Sequence, residues 1–434
     1  MEIVSLKKFK TSEKYKRVMN RGRQNYAALF PVVKKIMAGV EKNGDEAIKK
    51  YTLKFDGVKI KNIRVSREEI KRACNKVSPR FIKALKQTSK NITQVSKDQI
   101  PQINKRPIKP AAGIGVWRNW KPIEKVGLYV PGGKAFYPSS VLMNAIPAKI
   151  AGCRQIVITT PPQKNGEIAP ELLVTADTLG IKEVYKVGGA QAIAALTYGT
   201  KTIPKVYKIV GPGNAYVAAA KLAALMSGEA AIDSPAGPSE VFIIADKTAN
   251  PKFIAADLMC DAEHGEDSAA ILVTTETKLA KQVIQEIKVR INQFTTKDRI
   301  KKSIEQYGLF ATVDSIDEAI DFANDYAPEH VQIMTAQAGR VAKKIINAGS
   351  VFIDDYTCKS AGDYATGANH VLPTGGSAKM FSGLSVSNFI RTMEYQKCTK
   401  PGLKKIKTAT ETFAEVEKLP AHKYSCSVRF NNQI

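Results

Sequence analysis

The sequence is poor in histidine and lacks several common signatures. Only four of its 434 residues are histidine, and its six cysteines include no Cys-x-x-Cys pair. No apolar run approaches the roughly 18 residues of a membrane-spanning helix, which excludes an ordinary span. Scattered cysteines without an apolar secretory segment favour free thiols in a reducing compartment. We therefore expect a soluble cytoplasmic protein that does not act at a membrane.

The chain carries an excess of positive charge, with a formal net charge of +26. Such a charge attracts nucleic acid. However, the lysines are spread from Lys7 to Lys423 among acids and apolar residues, and no RNA-reading or zinc-finger motif accompanies them. We predict a basic surface that draws in anionic cofactors, and no nucleic-acid partner. The alternative, a basic DNA-binding protein on a degenerate enzyme scaffold, would bind DNA in a salt-dependent way.

The hydrophobic pattern changes about a quarter of the way along the chain. The first hundred or so residues have apolar residues at helical spacing, whereas short β-branched runs alternate with alanine-rich stretches from Val126 onward. This alternation is typical of βαβ units and a parallel sheet. We predict an α/β fold with two incomplete Rossmann-like three-layer α/β/α domains, a helical N-terminal region and a small C-terminal tail domain. The predicted strands are 127–130, 155–160, 183–187, 205–210, 241–245, 270–274, 331–334 and 350–354, and 251–263 and 315–324 are predicted helices.

Two of the histidines lie where they could bind a metal together with nearby acids. Asp261 and His264 are three residues apart in a helical pattern, so both side chains lie on one face. Asp363 is expected in a glycine-rich loop after a strand. Together with His422 these residues form a nitrogen and oxygen set suited to Zn²⁺. A helix acid beside a solvated histidine is the alternative interpretation of the pair.

Glu329 and His330 are adjacent at a predicted helix-to-strand junction. Neighbouring residues there point in different directions, so they are poor co-ligands but can act in successive proton transfers. The alternative is a surface acid beside an ordinary strand residue. His370 is likewise either a substrate contact or a loop histidine with satisfied hydrogen bonds.

Three glycine-rich turns each follow a predicted strand and precede a helix, at 129–133, 187–191 and 210–214. At such positions, backbone N–H groups and the helix dipole can face a cofactor phosphate. Ordinary tight turns would also explain each one. Cys153 and Ser239 could be nucleophiles, but neither has a neighbouring histidine, so we do not expect covalent catalysis.

Long motifs in a fixed order resemble the histidinol dehydrogenase family. The resemblance implies an NAD-dependent zinc enzyme that oxidises L-histidinol through L-histidinal to L-histidine in two hydride transfers, the last step of histidine biosynthesis. The motifs are VGLYVPGG, VGGAQAIAALTYGT, IVGPGNAYV, IDSPAGPSEV, DAEHG, YAPEHV, SAGDYATGANHVLPTGGSA and LPAHK.

The resemblance also implies roles for individual residues. Glu329 and His330 would transfer protons. Tyr129, Gln191 and Asn214 would line the NAD site. Zinc would be held by Asp261, His264, Asp363 and His422, the last from the partner subunit of a homodimer. Substrate would be contacted by Ser239, Glu417, His370 and His330 together with the zinc ligands.

The same resemblance implies a functional division of the chain. Its parts would be an N-terminal helical arm at 1–25, a catalytic and zinc domain at 26–128 and 241–383, an NAD-binding Rossmann-like domain at 129–240, and a dimerisation tail at 384–434.

The sequence departs from the family at position 261, where glutamine is usual and Asp261 stands. A second carboxylate would neutralise Zn²⁺ further, so we expect tighter metal retention with weaker Lewis acidity, or a harder ion such as Mn²⁺. The alternative substrate is another small polar alcohol, such as a sulfonated propanediol, oxidised by a related zinc dehydrogenase. Glu417 and His370 favour an amino alcohol with an imidazole, because a carboxylate repels an anionic substrate.

Overall fold

The computed structural model describes residues 1–22, 26–102, 106–132, 136–234 and 237–430. The chain forms two compact units, which are described separately. The larger comprises Met1–Gln99 and Ile123–Phe389, and the smaller comprises Ile100–Pro122 and Ile390–Ile434. Within the described ranges, no helix is long and apolar enough to cross a membrane.

The strands fall into two parallel sheets and one antiparallel pair. Their bounds are β1 (Ile3–Ser5), β2 (Ile114–Pro122), β3 (Lys125–Tyr129), β4 (Gln155–Thr160), β5 (Val184–Lys186), β6 (Lys208–Val210), β7 (Ala231–Ile232), β8 (Glu240–Ala245), β9 (Ala269–Thr274), β10 (Leu309–Thr312), β11 (His330–Met334), β12 (Ser350–Ile353) and β13 (Ile390–Cys398).

The helices cover the sheets of the larger unit and form much of the smaller one. Short 3-10 turns lie at Ile291–Gln293, Ser377–Lys379 and Val386–Phe389. The α-helices are α1 (Leu6–Lys10), α2 (Glu13–Met19), α3 (Tyr26–Asp56, broken at Gly44), α4 (Arg67–Cys74), α5 (Pro79–Asp98), α6 (Pro138–Ala151), α7 (Pro170–Thr178), α8 (Gly189–Tyr198), α9 (Ala215–Met226), α10 (Pro251–Ala262), α11 (Thr277–Arg290), α12 (Lys297–Tyr307), α13 (Ile316–Tyr326), α14 (Ala338–Ala342), α15 (Lys359–Tyr364), α16 (Lys400–Val416) and α17 (Pro420–Ser427).

Both sheets of the larger unit are parallel throughout. The five-stranded sheet has the order β5-β4-β3-β6-β7, and the six-stranded sheet has the order β1-β10-β9-β8-β11-β12. Central strands such as β8 and β9 are buried at every residue, because helices cover both faces of a parallel sheet. The predicted α/β fold with two parallel sheets is confirmed.

The structure also contains strands that the pattern did not predict. Residues 3–5 form β1, which pairs with β10 at the edge of the six-stranded sheet, so the first hundred residues are not purely helical. In the smaller unit, β2 pairs antiparallel with β13 over nine residues, and neither strand was among the predicted ones. Strand formation in both places depends on a partner distant in sequence, which periodicity does not reveal. The predicted functional division of the chain stays a prediction.

The two parallel sheets present opposite ends to the interior of the larger unit. On the five-stranded sheet, β3 and β6 end at Tyr129 and Val210, and the glycine-containing turns follow. On the six-stranded sheet, β8 and β11 begin at Glu240 and His330. The turns after the first pair and the first residues of the second pair lie around one cavity, so the fold itself brings them together.

Candidate active site

The larger unit contains a cavity of about 450 Å³, a volume typical of small-molecule and cofactor sites. Gly132, Gly213 and Asn214 line it from the five-stranded sheet. From the other side it is lined by residues around the six-stranded sheet, among them Ser239, His264, Glu329, His330, Lys359, Asp363 and His370.

His330 is held in one orientation by the backbone of the neighbouring strand. Its ring is buried, and Nδ1 donates a hydrogen bond of 3.0 Å to the carbonyl oxygen of Glu240. A carbonyl only accepts, so the proton of the neutral ring lies on Nδ1 and Nε2 keeps its lone pair. Nε2 lies 3.7 Å from Oδ1 of Asp363, and both residues line the cavity. The arrangement leaves a nitrogen base available to a bound molecule.

Burial shifts the pKa values of His330 and Glu329 in opposite directions. Burial lowers the pKa of His330 to about 4, and the nearby Lys359 ammonium acts in the same direction, so the imidazole is neutral at pH 7. Burial also raises the pKa of Glu329 well above its ordinary 4.5, and the carboxylate of Asp261 adds to this. The two adjacent residues therefore differ in their readiness to accept a proton.

Glu329 and Glu240 are tied to each other across strands. The backbone N–H of Glu240 donates to Oε2 of Glu329 at 2.9 Å. Arg21 neutralises Glu240 through a buried contact of 2.8 Å, and its guanidinium lies over the Tyr326 ring, 3.1 Å from the centroid. A buried carboxylate requires such a partner. Arg21 thus fixes the strand end that orients His330.

Two short helices bring a second group of charges to the cavity. Asp257 and Asp261 lie one turn apart on α10, and Lys359 and Asp363 lie one turn apart on α15, so each pair lies on one helix face. The ammonium of Lys359 lies 2.8 Å from Oδ1 of Asp261 and 2.8 Å from Oδ2 of Asp363. Its backbone N–H donates to Asp257 at 3.1 Å. The lysine therefore links the two helices.

The structure corrects one expectation from the sequence. Asp363 lies in helix α15 rather than in a loop, because Asp257 accepts a hydrogen bond from the backbone at the first residue of that helix. The carboxylate of Asp261 is paired with the Lys359 ammonium. Burial alone would raise the pKa of Asp261, but the Lys359 ammonium together with His264 and His330 outweighs burial and holds that pKa well below the usual range. A lysine four residues before Asp363 was the signal that pattern reasoning missed.

The remaining histidines of the larger unit lie at the edge of this group. His264 follows the end of α10 and is exposed, and its Nδ1 is 3.4 Å from Oδ1 of Asp261. His370 donates from Nδ1 to the carbonyl of Asp363 at 2.9 Å, and its Nε2 lies 3.3 Å from the Ser140 hydroxyl. Asp261, His264, Asp363, His330 and His370 thus lie close to one another, and their predicted roles stay predictions.

The residues predicted to bind NAD differ in their placement. Tyr129 and Gln191 are buried, and the Tyr129 hydroxyl accepts a hydrogen bond from the backbone N–H of Gly189 at 3.2 Å. Asn214 begins helix α9, and its side chain accepts from the backbone of Tyr216 and Val217. Of the three, Asn214 alone is exposed to the cavity. Tyr129 and Gln191 do not line the cavity among the described residues.

Glu417 and His422 belong to the smaller unit. Glu417 follows the end of α16, His422 lies in α17, and both are exposed. The described residues that line the cavity all come from the larger unit. The roles predicted for Glu417 and His422 therefore stay predictions.

The oxygen and nitrogen donors in this region are of the types that bind a divalent metal, but the described residues do not form a complete set of ligands. Neither carboxylate oxygen of Asp261 has a hydrogen-bond partner among the described residues, although Oδ1 contacts the Lys359 ammonium. A buried carboxylate oxygen without a partner is suited to a cation. Within the described ranges, however, no three His, Cys, Asp or Glu side chains form a ready metal cluster.

Two parallel sheets flanked by helices, with a cavity lined by glycine turns and ionisable side chains, define an α/β protein with a candidate active site. The histidinol dehydrogenase family model matches residues 19–430, and the chain belongs to this family. Its reaction is the conversion of histidinol to histidine in histidine biosynthesis. This confirms the resemblance that the motifs indicated.

Individual relatives cover nearly the whole chain. Histidinol dehydrogenase from Methanocaldococcus jannaschii is 45% identical over 96% of this chain and 96% of that protein. The enzyme from Clostridium acetobutylicum is 46% identical over 94% of each. The crystal structure of histidinol dehydrogenase from Elizabethkingia anophelis is 42% identical, covers 99% of this chain and 97% of that one, and superposes with a TM-score of 0.92.

Proposed function

We propose that His330 is the base that takes the hydroxyl proton of histidinol while NAD accepts a hydride from the carbinol carbon. The observation that carries this proposal is the fixed orientation of the buried, neutral ring, with Nδ1 bound to Glu240 and Nε2 left as acceptor. A base near a reacting hydroxyl contributes about 10²–10⁴ in rate. The products of this first step are histidinal, NADH and one proton.

Glu329 is proposed to serve the second oxidation. Histidinal must add water before a second hydride can leave, and a carboxylate next to His330 can accept the proton of that water. The raised pKa of Glu329 supports this role, because a carboxylate with a raised pKa is a stronger base once it has lost its proton. No thiol adduct is needed. The candidate thiol, Cys153, has its pKa raised to about 12 by burial.

NAD is proposed to lie along the carboxyl ends of the five-stranded sheet. The turns after β3 and β6 contribute Gly132 and Gly213 to the cavity wall, and helix α9 begins at Asn214. A helix start beside glycine turns provides backbone donors for a phosphate. A side chain at Gly213 would collide with Val217, so the glycine keeps the backbone approachable there. Residue 133, within the first predicted turn, lies outside the described residues.

A divalent metal, with Zn²⁺ as the expected ion, is proposed to be held by Asp261, His264, Asp363 and His422. When bound, it would supply a template that orients the imidazole and amine of the substrate. Ser239, His370 and Glu417 are proposed to contact the same substrate. Ser239 and His370 line the cavity, which supports their part.

A homodimer in the cytoplasm is proposed as the working form. Apolar residues of the smaller unit are exposed on α16 and α17, with Phe413, Val416 and Tyr424 at 69%, 76% and 64% exposure. Such residues are suited to a protein interface. All six cysteines are free, in keeping with a reducing compartment. Mixing inactive His330→Asn and His422→Asn proteins should restore activity if the tail completes the partner's site.

One assay tests the reaction and its cofactors together. Histidinol and NAD are supplied with and without a chelator, and NADH is followed until the substrate is consumed. We expect two NADH per histidinol and loss of turnover after prolonged chelation. Dihydroxypropanesulfonate in place of histidinol should give no NADH. Turnover of the sulfonate in preference to histidinol would contradict the proposal.

A further inference from the structure

We propose that Lys359 is the internal cation of the carboxylate pair Asp261 and Asp363. In this role it holds the pair together in the metal-free protein and weakens the affinity of the pair for a divalent metal. The inference rests on the proposed metal ligands and concerns a residue outside that ligand set.

The position of the ammonium carries the inference. Lys359 is 2% exposed, and its Nζ lies 2.8 Å from one oxygen of each carboxylate. This uses Oδ1 of Asp261 and Oδ2 of Asp363. The other oxygens stay available, since Oδ2 of Asp261 has no hydrogen-bond partner among the described residues and Oδ1 of Asp363 is 3.7 Å from His330. A metal that binds both carboxylates must therefore bind beside the ammonium or displace it.

The lysine is anchored at its backbone as well as at its side chain. The Lys359 N–H donates to Oδ1 of Asp257, and Oδ2 of Asp257 accepts from the side chain of Gln332 on β11 at 2.7 Å. Displacement of the ammonium would leave these backbone contacts in place. The positive charge thus stays close to the carboxylates whether or not a metal is bound.

The net charge of the site determines whether Lys359 strengthens or weakens metal binding. Two carboxylates carry a charge of −2, and one ammonium reduces the total to −1. Electrostatic interactions are strong at a buried site, because little water screens them. The attraction for a divalent cation is therefore reduced. In the absence of metal, the same ammonium removes the repulsion between two buried anions, which would otherwise favour opening of the site.

The test compares neutral and charged replacements in the full-length protein. The variants are Lys359→Gln, Lys359→Met and Lys359→Arg, with Lys186→Gln as the matched control. Lys186 is also a buried lysine, and it pairs with Glu69 away from the metal ligands. Zn²⁺ affinity is measured by competition with a chromophoric chelator, and thermal unfolding is measured with and without EDTA.

We expect both neutral variants to bind Zn²⁺ at least about tenfold more tightly than the parent protein. Their metal-free unfolding midpoints should fall by on the order of 5–10 °C and recover with Zn²⁺. Lys186→Gln should also unfold earlier, but with Zn²⁺ affinity within about twofold of the parent. Lys359→Arg should stay close to the parent affinity because it keeps the charge.

Unchanged or weaker Zn²⁺ affinity in both neutral variants overturns the inference, and so does equal tightening in Lys359→Arg. If a neutral variant can be purified only with Zn²⁺ bound, its rate of Zn²⁺ loss to the chelator is compared with the parent; slower loss supports the inference and faster loss overturns it. NADH formation from histidinol is followed in the same preparations. Activity without any change in Zn²⁺ affinity removes the inference and leaves the proposed reaction standing.

Discussion

The two parallel sheets of the larger unit are built alike but contribute differently to the cavity. The five-stranded sheet presents the carboxyl ends of its strands, where glycine turns and the start of helix α9 expose backbone. The six-stranded sheet presents the amino ends of β8 and β11, where ionisable side chains are buried. The same architecture thus supplies backbone donors on one side and titratable groups on the other. The polarity of the strands at the cavity distinguishes the two roles.

The largest loss of activity is expected for a substitution of His330, on the six-stranded sheet that contributes the ionisable side chains. His330→Asn keeps a donor toward the Glu240 carbonyl but removes the basic nitrogen. We expect kcat to fall by about 10²–10⁴ with histidinol and also with histidinal as substrate. Steady-state NADH formation with each substrate measures this, and an unchanged unfolding midpoint confirms that the fold is intact. A loss of less than tenfold would assign the base to another group.

The next prediction concerns Glu329, which is proposed to act mainly in the second oxidation step. Glu329→Gln should slow histidinal oxidation by about 10²-fold while the first hydride transfer changes less. Because the pKa of Glu329 is raised, its carboxylate forms at a higher pH than that of an ordinary glutamate. The rate of histidinal oxidation should therefore rise with pH over the range in which Glu329 loses its proton. His330, with a pKa of about 4, already stays neutral across this range. Glu329→Gln should lose the rising limb, and equal losses on both substrates would contradict the division.

The contribution of the five-stranded sheet is tested at Gly211, the residue that follows β6. Gly211 has φ of 116°, and a Cβ there would lie 2.1 Å from the backbone oxygen of Tyr129. Gly211→Ala should therefore cost about 2–5 kcal/mol of unfolding free energy and raise the KM for NAD. Gly228 also has positive φ but open space around its Cβ position, so Gly228→Ala should cost about 1–2 kcal/mol without changing that KM. Denaturant unfolding and NAD titration measure both. Equal effects at the two glycines would remove the claim that close backbone approach matters at this sheet.

The smallest effect is expected at Cys153, which lies beyond the end of α6. Its thiol is 3.9 Å from the carbonyl oxygen of Phe389, and burial raises its pKa to about 12. A thiol with a raised pKa stays protonated and unreactive at neutral pH. Cys153→Ala should leave kcat within about twofold of the parent, and alkylation at pH 8 should reach the exposed Cys74 and Cys398 first. Loss of turnover in Cys153→Ala would revive covalent catalysis.

The fold class and the family could be predicted from the amino-acid sequence alone. Alternating β-branched runs and alanine-rich helices predict parallel sheets, because a strand covered on both faces must be apolar throughout. Predicted segments such as 155–160 and 251–263 match β4 and α10 closely. The adjacency of Glu329 and His330 at the start of β11 was also readable, since it depends on neighbouring residues alone.

The pairing of charged side chains, in contrast, depends on long-range packing of the folded chain. Lys359 lies 98 positions from Asp261, and local spacing contains no information about a contact between α10 and α15. The same holds for β1 and for the antiparallel pairing of β2 with β13, whose partners are hundreds of residues away. The polarity of the two sheets at the cavity is likewise a property of chain topology. Local pattern specifies what an element is, whereas long-range packing specifies what it touches, and the electrostatics of this site depend on the second.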